Sequence, residues 1–176
     1  MSYLISRFDY DRLNPSPEVL PLNVLDTKLV NNFNKLDQYI RRSADDDKLE
    51  KLFLKVQDGF SERFNIWLKL KGVGEYQKQF FFIAEVFLDF FYCYEHEPPR
   101  TWKDGPGKYL VEFAVDFMLR KTSMEPWEYT LAPSALRLIY SFLYEKEYLR
   151  EPPDSMIEFL DILDGHFIEH LKEQFS

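Results

Sequence analysis

The apolar stretch from Phe80 to Tyr94 limits what this chain can fold into more than any other part of the sequence. Its only charged residues are Glu85 and Asp89, so a helix made from it has almost no polar face and must be covered by its neighbours on most sides. The pattern shows no strand-like alternation and extends over residues 75–95, which is too long for an ordinary strand. We therefore predict a buried central helix at residues 75–95.

This stretch does not have the character of a membrane span. A spanning helix needs about 20 predominantly apolar residues, whereas this run is shorter and carries two carboxylates near its middle, where ionised groups are costly in hydrocarbon. Residues 1–9 also lack the basic region and the uninterrupted apolar segment of a secretory signal. We expect a cytoplasmic protein that has no membrane partner.

Apolar residues at helical spacing predict amphipathic helices on both sides of the central one. Residues three or four apart in a helix share one face, and stripes with this spacing recur from residue 26 to the C-terminus. The proline pairs at 98–99 and 152–153 end two of these helices. We predict an all-α fold over residues 26–176, a single compact domain of about six or seven helices arranged as a bundle or as stacked α-hairpins.

The first 25 residues are expected to form an extended arm. They contain Pro15, Pro17 and Pro21, and proline removes a backbone donor and pushes the residue before it towards extended geometry. The same segment carries several apolar side chains, so we expect residues 1–25 to pack on the helical body. A docking peptide for another protein is the alternative.

Composition excludes several classes of partner and site. The chain has 30 acidic and 22 basic residues and a formal charge of −8, which argues against a nucleic-acid partner because lysine and arginine carry most of that affinity. A basic protein or a metal cation remains compatible. Cys93 is the only cysteine, so an intramolecular disulfide and a cysteine zinc cage are excluded. We interpret Cys93 as a small buried side chain.

Four acidic residues interrupt two otherwise apolar helices in a regular way. Glu85 and Asp89 are four residues apart, as are Glu112 and Asp116, so each pair is expected on one face of its helix. A solvated or ion-paired stripe is the favoured interpretation. The alternative is a metal site in which the four carboxylates converge on Mg²⁺ or Mn²⁺, since both ions prefer oxygen ligands.

No catalytic motif of recognised form is present. His166 and His170 have the spacing of a zinc-binding pair on a helix, but the sequence lacks the arrangement that supplies a general base. The segment 105–108 lacks the full phosphate-binding loop pattern, and no serine lies in a nucleophile elbow. We therefore predict no cofactor, apart from Mg²⁺ or Mn²⁺ in the metal-site alternative.

These observations favour a cytoplasmic protein-interaction module, of adaptor, regulator or inhibitor type, that binds another protein of basic character. The alternative is a metal-dependent all-α phosphohydrolase that uses the four carboxylates, so catalysis is left open. Trp102, Trp127 and Tyr129 are the candidate interface residues, because an exposed apolar patch marks a docking surface. Self-association into a homo-oligomer is also left open.

Overall fold

A computed structural model describes residues 8–16, 19–42, 46–100 and 107–175 of the chain. These residues contain seven α-helices and no strand, so the all-α prediction is confirmed. Two of the helices continue into π-helical turns. The helices are α1 (Val24–Arg41), α2 (Asp46–Lys71), α3 (Gln77–Asp89, continued by the π-helical turn Phe90–Glu95), α4 (Gly107–Glu112, continued by the π-helical turn Phe113–Phe117 and by Met118–Lys121), α5 (Pro126–Tyr129), α6 (Ala132–Glu145) and α7 (Asp154–Phe175).

Helices α3 and α6 form the centre of the structure. α3 packs against α2 and α6, and α6 also contacts α7. Phe80, Ile83 and Phe87 of α3 are fully buried, as the apolar stretch predicts. α6 is buried even more completely, with 10 of its 14 residues inside. The central position is therefore shared by two helices.

The π-helical turns of α3 and α4 pack against each other through aromatic rings. The ring of Phe90 lies 5.4 Å from that of Phe113 and 4.9 Å from that of Phe117, and Tyr94 lies 5.0 Å from Phe117. π-helical turns are rare and are frequent at functional sites. The turns also change which side chains of the two helices meet, with consequences for the acidic residues described below.

Asp26, at the start of α1, is a buried carboxylate with a complete set of donors. Arg63 of α2 donates from Nε to Oδ1 over 3.0 Å and from Nη2 to Oδ2 over 2.7 Å. The hydroxyl of Tyr148 donates to the same carboxylate, as does the backbone N–H of Asn23. Burial alone would raise the pKa of Asp26, but the hydrogen bonds from Arg63, Tyr148 and Asn23 outweigh it and hold that pKa below its ordinary value.

Asp37, three turns further along α1, is held in the same way. The hydroxyl of Tyr92 donates to it over 2.6 Å and Nη2 of Arg100 over 2.9 Å. Nη1 of Arg100 also donates to the backbone carbonyl of Tyr148 over 2.9 Å. The two carboxylates of α1 therefore connect this helix to α2, to the end of α3 and to the segment that follows α6.

The described part of the N-terminal arm lies against the helices and is held through its carbonyl groups. Nζ of Lys71 donates to the carbonyl of Ser16 over 2.8 Å, Nζ of Lys146 donates to that of Leu20, and Nη2 of Arg63 donates to that of Pro21 over 3.2 Å. Apart from the short 3-10 helix Tyr10–Arg12, this segment has no regular structure to pair its backbone groups, so its buried carbonyls need donors from elsewhere. Cations of α2 and of the end of α6 supply them.

We expect Asp26→Asn to lower the free energy of unfolding by about 3–5 kcal/mol, because Arg63 would remain buried without its counter-charge. Urea unfolding at neutral pH measures this loss. The matched control is Asp161→Asn. Asp161 is 54% exposed and forms an ion pair with Arg137, so its replacement should cost less than about 1 kcal/mol. Equal losses in the two variants would contradict the importance assigned to the buried pair.

Candidate functional site

The predicted pair Glu112 and Asp116 does not act as a pair in the structure. Asp116 lies 3.0 Å from Arg120 on the same helix, with both side chains about half exposed. Glu112 is directed towards Glu95 at the end of α3, and the two side chains share a hydrogen bond. Asp116 lies inside the π-helical turn of α4, where the spacing of an α-helix does not hold. The expectation that both acids project together assumed an uninterrupted α-helix.

The contact between Glu95 and Glu112 places a shared proton at the end of α3. Burial, together with the hydrogen bond and charge of Glu112, raises the pKa of Glu95 to about 7, with Glu97 acting in the same direction and Lys108 against it. Two carboxylates can hydrogen-bond to each other only when one of them is protonated. Glu95 therefore loses its proton near neutral pH instead of near its ordinary pKa of 4.5.

Glu85 and Asp89 project from α3 towards α2 and meet further acids. Burial and the charges of Asp89 and Asp58 raise the pKa of Glu85. Burial raises the pKa of Asp89 as well, although a hydrogen bond from Cys93 acts against this. Within the described residues, no lysine or arginine is among the groups that set the pKa of Glu85 or of Asp89. Asp58 itself lines a second cleft together with Lys28 and Lys55, so the like-charge repulsion is established for Glu85 alone.

The order of contacts shows that α2 and α3 run antiparallel. Near the start of α3, the side-chain amide of Gln77 donates to that of Asn65 over 2.9 Å. Further along α3, Glu85 lies close enough to Asp58 for its pKa to be raised. Later residues of α3 thus lie beside earlier residues of α2. The side chain of Leu54 lies one helical turn before Asp58 and so shares its face of α2.

Two large apolar side chains are exposed beside these acids. Phe82 is 42% exposed and shares a face of α3 with Glu85 and Asp89, and Leu54 on α2 is 47% exposed. We call this surface the acidic face and define it by five residues: Leu54, Asp58, Phe82, Glu85 and Asp89. It combines negative charge with exposed apolar area, a combination that the spacing of Glu85 and Asp89 alone did not reveal.

Cys93 borders the acidic face and is exposed, so its interpretation as a buried side chain was wrong. Partial burial and the charge of Asp89 raise the pKa of its thiol to about 11. The thiol is therefore protonated at neutral pH and is a poor nucleophile.

The four predicted metal ligands do not lie around one common point in the structure. Among the described residues no group of three or more His, Cys, Asp and Glu side chains is arranged to hold a metal ion. Glu85 and Asp89 face α2, whereas Glu112 meets Glu95. The convergence that the phosphohydrolase alternative requires is not seen in this part of the chain, and His166 and His170 form no zinc group there either.

The two predicted interface aromatics that the structure describes do not form one exposed surface. Trp102 lies outside the described residues. Trp127 is half-buried with its ring 6.3 Å from that of Tyr76. Tyr129 is only 4% exposed and stacks on Phe175 at 5.7 Å. Tyr129 belongs to the core, so its prediction as an interface residue is corrected.

A second candidate site was not indicated by any sequence motif. It is a cleft of about 690 Å³ between α1 and residues 147–151, the segment that joins α6 to α7. Arg41, Arg100 and Arg150 all line it. These arginines come from three separate parts of the chain, so no local pattern could have brought them together.

Comparison with protein-family models, curated proteins and solved structures finds no match to this chain. Within the described ranges, no helix has the length and apolar character needed to cross a membrane. The candidate sites are therefore interpreted from their own geometry and charge.

We expect Glu95 to make stability fall as the pH rises from about 4.5 to 7. Its folded-state pKa of about 7 lies above its ordinary value of 4.5, so the folded chain binds more protons than the unfolded chain in this window. Glu95→Gln should raise the urea midpoint at pH 8 and flatten the fall. The control is Glu158→Gln, which changes an exposed carboxylate. A profile of Glu95→Gln that matches wild type would refute the shared proton.

Proposed function

We propose that this chain is a cytoplasmic protein-interaction module whose acidic face binds a basic segment of another protein. One observation carries the proposal: Asp89 and Asp58 lie close enough to Glu85 to raise its pKa, and among the described residues no lysine or arginine is one of the groups that set that pKa. The partner would be a protein and not a nucleic acid, because this surface is negative. Catalysis is not part of the proposal.

Electrostatics favours a cationic partner at this place. Like charges held together cost free energy in the unbound chain, and a lysine or arginine placed between them removes that cost. Binding would then favour the ionised carboxylates, whose pKa values are raised in the free protein. The affinity should therefore increase as the pH rises through the raised pKa values of these carboxylates, with protons released on binding.

The shape of the surface favours a helical partner. Phe82 and Leu54 offer two exposed apolar contacts on neighbouring antiparallel helices, with carboxylates beside them. An amphipathic helix can place apolar residues in a groove between two helices while its basic residues contact the acids. A basic amphipathic helix satisfies both the charge and the apolar area of the acidic face.

The direct test uses a synthetic amphipathic helix of leucine and lysine, with binding followed by fluorescence anisotropy. Wild type should bind it, and the affinity should fall as salt is added because exposed charges are screened. Glu85→Gln should weaken binding about three- to tenfold, from the loss of one charge contact. Phe82→Ala should weaken it through lost apolar area.

Glu158→Gln is the matched control, since it removes the same charge from an exposed position on α7. It should bind as wild type does. If Glu85→Gln and Glu158→Gln lost the same affinity, the loss would come from the net charge of the chain and not from a particular surface. That result would overturn the proposed site. Equal binding of a glutamate-containing version of the peptide would also overturn it.

A further inference from the structure

The cleft between α1 and residues 147–151 has a lining unlike that of the acidic face. It contains three arginines. The amides of Asn34 and Gln38 also line it, and so do the carboxylates of Asp37, Glu147 and Glu151, so the lining carries equal numbers of positive and negative groups. A volume of about 690 Å³ is within the usual range for small-molecule sites, roughly 300–1,000 Å³.

Arg100, which is ion-paired with Asp37, gives the cleft a rigid base. Its side chain is 8% exposed, and its guanidinium lies 4.8 Å from the ring centre of Phe33. Its Nη atoms donate to Asp37, to Asn34 and to the carbonyl of Tyr148. Such a guanidinium is fixed before any ligand arrives, so little conformational entropy is lost when a ligand binds.

One donor of Arg100 is not used. Its Nε is buried and has no hydrogen-bond acceptor among the described residues. A buried donor without an acceptor is unusual. Because this Nε is closed to water-sized molecules, a ligand in the cleft would contact the other polar groups of the lining.

The wall formed by residues 147–151 depends on an unfavourable backbone conformation. Glu147 has φ 63°, the left-handed region in which glycine is normally found at the end of a helix. This turn lets the N–H of Tyr148 donate to the carbonyl of Leu143 over 2.7 Å and directs the Tyr148 carbonyl to Arg100. Backbone strain of this kind is concentrated at functional sites.

The rim of the cleft carries charges of both signs. Arg41 and Arg150 are exposed on it, as are Glu147 and Glu151. Guanidinium groups bind planar or tetrahedral oxyanions through paired hydrogen bonds. Carboxylates accept hydrogen bonds from ammonium or hydroxyl groups. The chemistry of the rim therefore matches a ligand that has an oxyanion at one end and donors at the other.

We propose that the cleft binds a small polar metabolite that carries a carboxylate or phosphate group together with ammonium or hydroxyl donors. The oxyanion is bound by Arg150 and Arg41 above the base formed by Arg100, and the donors face Glu151 and Glu147. The inference does not rest on the proposed protein-binding function, because the cleft and the acidic face share no residue.

The test compares three probes at constant ionic strength: acetate, inorganic phosphate and O-phosphoserine. Acetate and phosphate distinguish the two oxyanion sources, and O-phosphoserine adds an ammonium group. At least one oxyanion should raise the thermal unfolding midpoint of wild type, because a ligand bound only by the folded state stabilises it. O-phosphoserine should bind more tightly than phosphate, and Glu151→Gln should reduce that advantage.

Arg150→Gln should weaken binding about tenfold through the loss of a charge-assisted hydrogen bond. The control is Arg42→Gln, which removes the same charge from an exposed neighbour of Arg41 that does not line the cleft; it should bind as wild type does. The proposal is overturned if no probe raises the midpoint up to about 50 mM. Equal weakening in Arg150→Gln and Arg42→Gln would also overturn it.

Discussion

The burial of Asp26 and Asp37 on one helix is the constraint on which the remaining structure depends. Each can be ionised inside the protein only if cations and hydroxyl groups reach it, and the donors come from distant parts of the chain. Arg63 comes from α2, Arg100 from the segment after α3, and Tyr148 from the end of α6. Because Tyr148 contacts Arg100 as well as Asp26, the two clusters form one connected network. The position of α1 thus determines where three other parts of the fold can lie.

Much of the fold could be predicted from the periodicity of apolar residues, but the identity of the innermost helix could not. The central stretch is helical and largely buried, yet Phe82 and Tyr94 within it are 42% and 45% exposed. α6, which the sequence presents as an amphipathic helix, buries Pro133 and Ser134 along with its apolar stripe. Periodicity shows which face of a helix is apolar. It does not show how many neighbours the helix will have, because that depends on pairings between distant segments.

The candidate sites were predictable only where they depend on neighbours in sequence. The spacing of Glu85 and Asp89 correctly places both acids beside each other, since α3 is α-helical there. The same spacing failed for Glu112 and Asp116, because a π-helical turn begins between them. The addition of Asp58 and the gathering of arginines at the cleft depend on tertiary contacts. No pattern within a single helix carries that information.

Each of the two candidate sites contains a locally unfavourable feature. On the acidic face, neighbouring carboxylates raise the pKa of Glu85, and at the cleft Glu147 has a left-handed backbone. The carboxylates of Asp26 and Asp37, by contrast, are each paired with an arginine. Repulsion and strain lower the stability of the free chain and persist only where the surrounding fold holds them. A ligand that neutralises the acids would remove the repulsion between them and so stabilise the folded chain. A ligand that fills the cleft would bind to a backbone conformation that is already formed. In both proposals, the site has its binding geometry before a partner arrives.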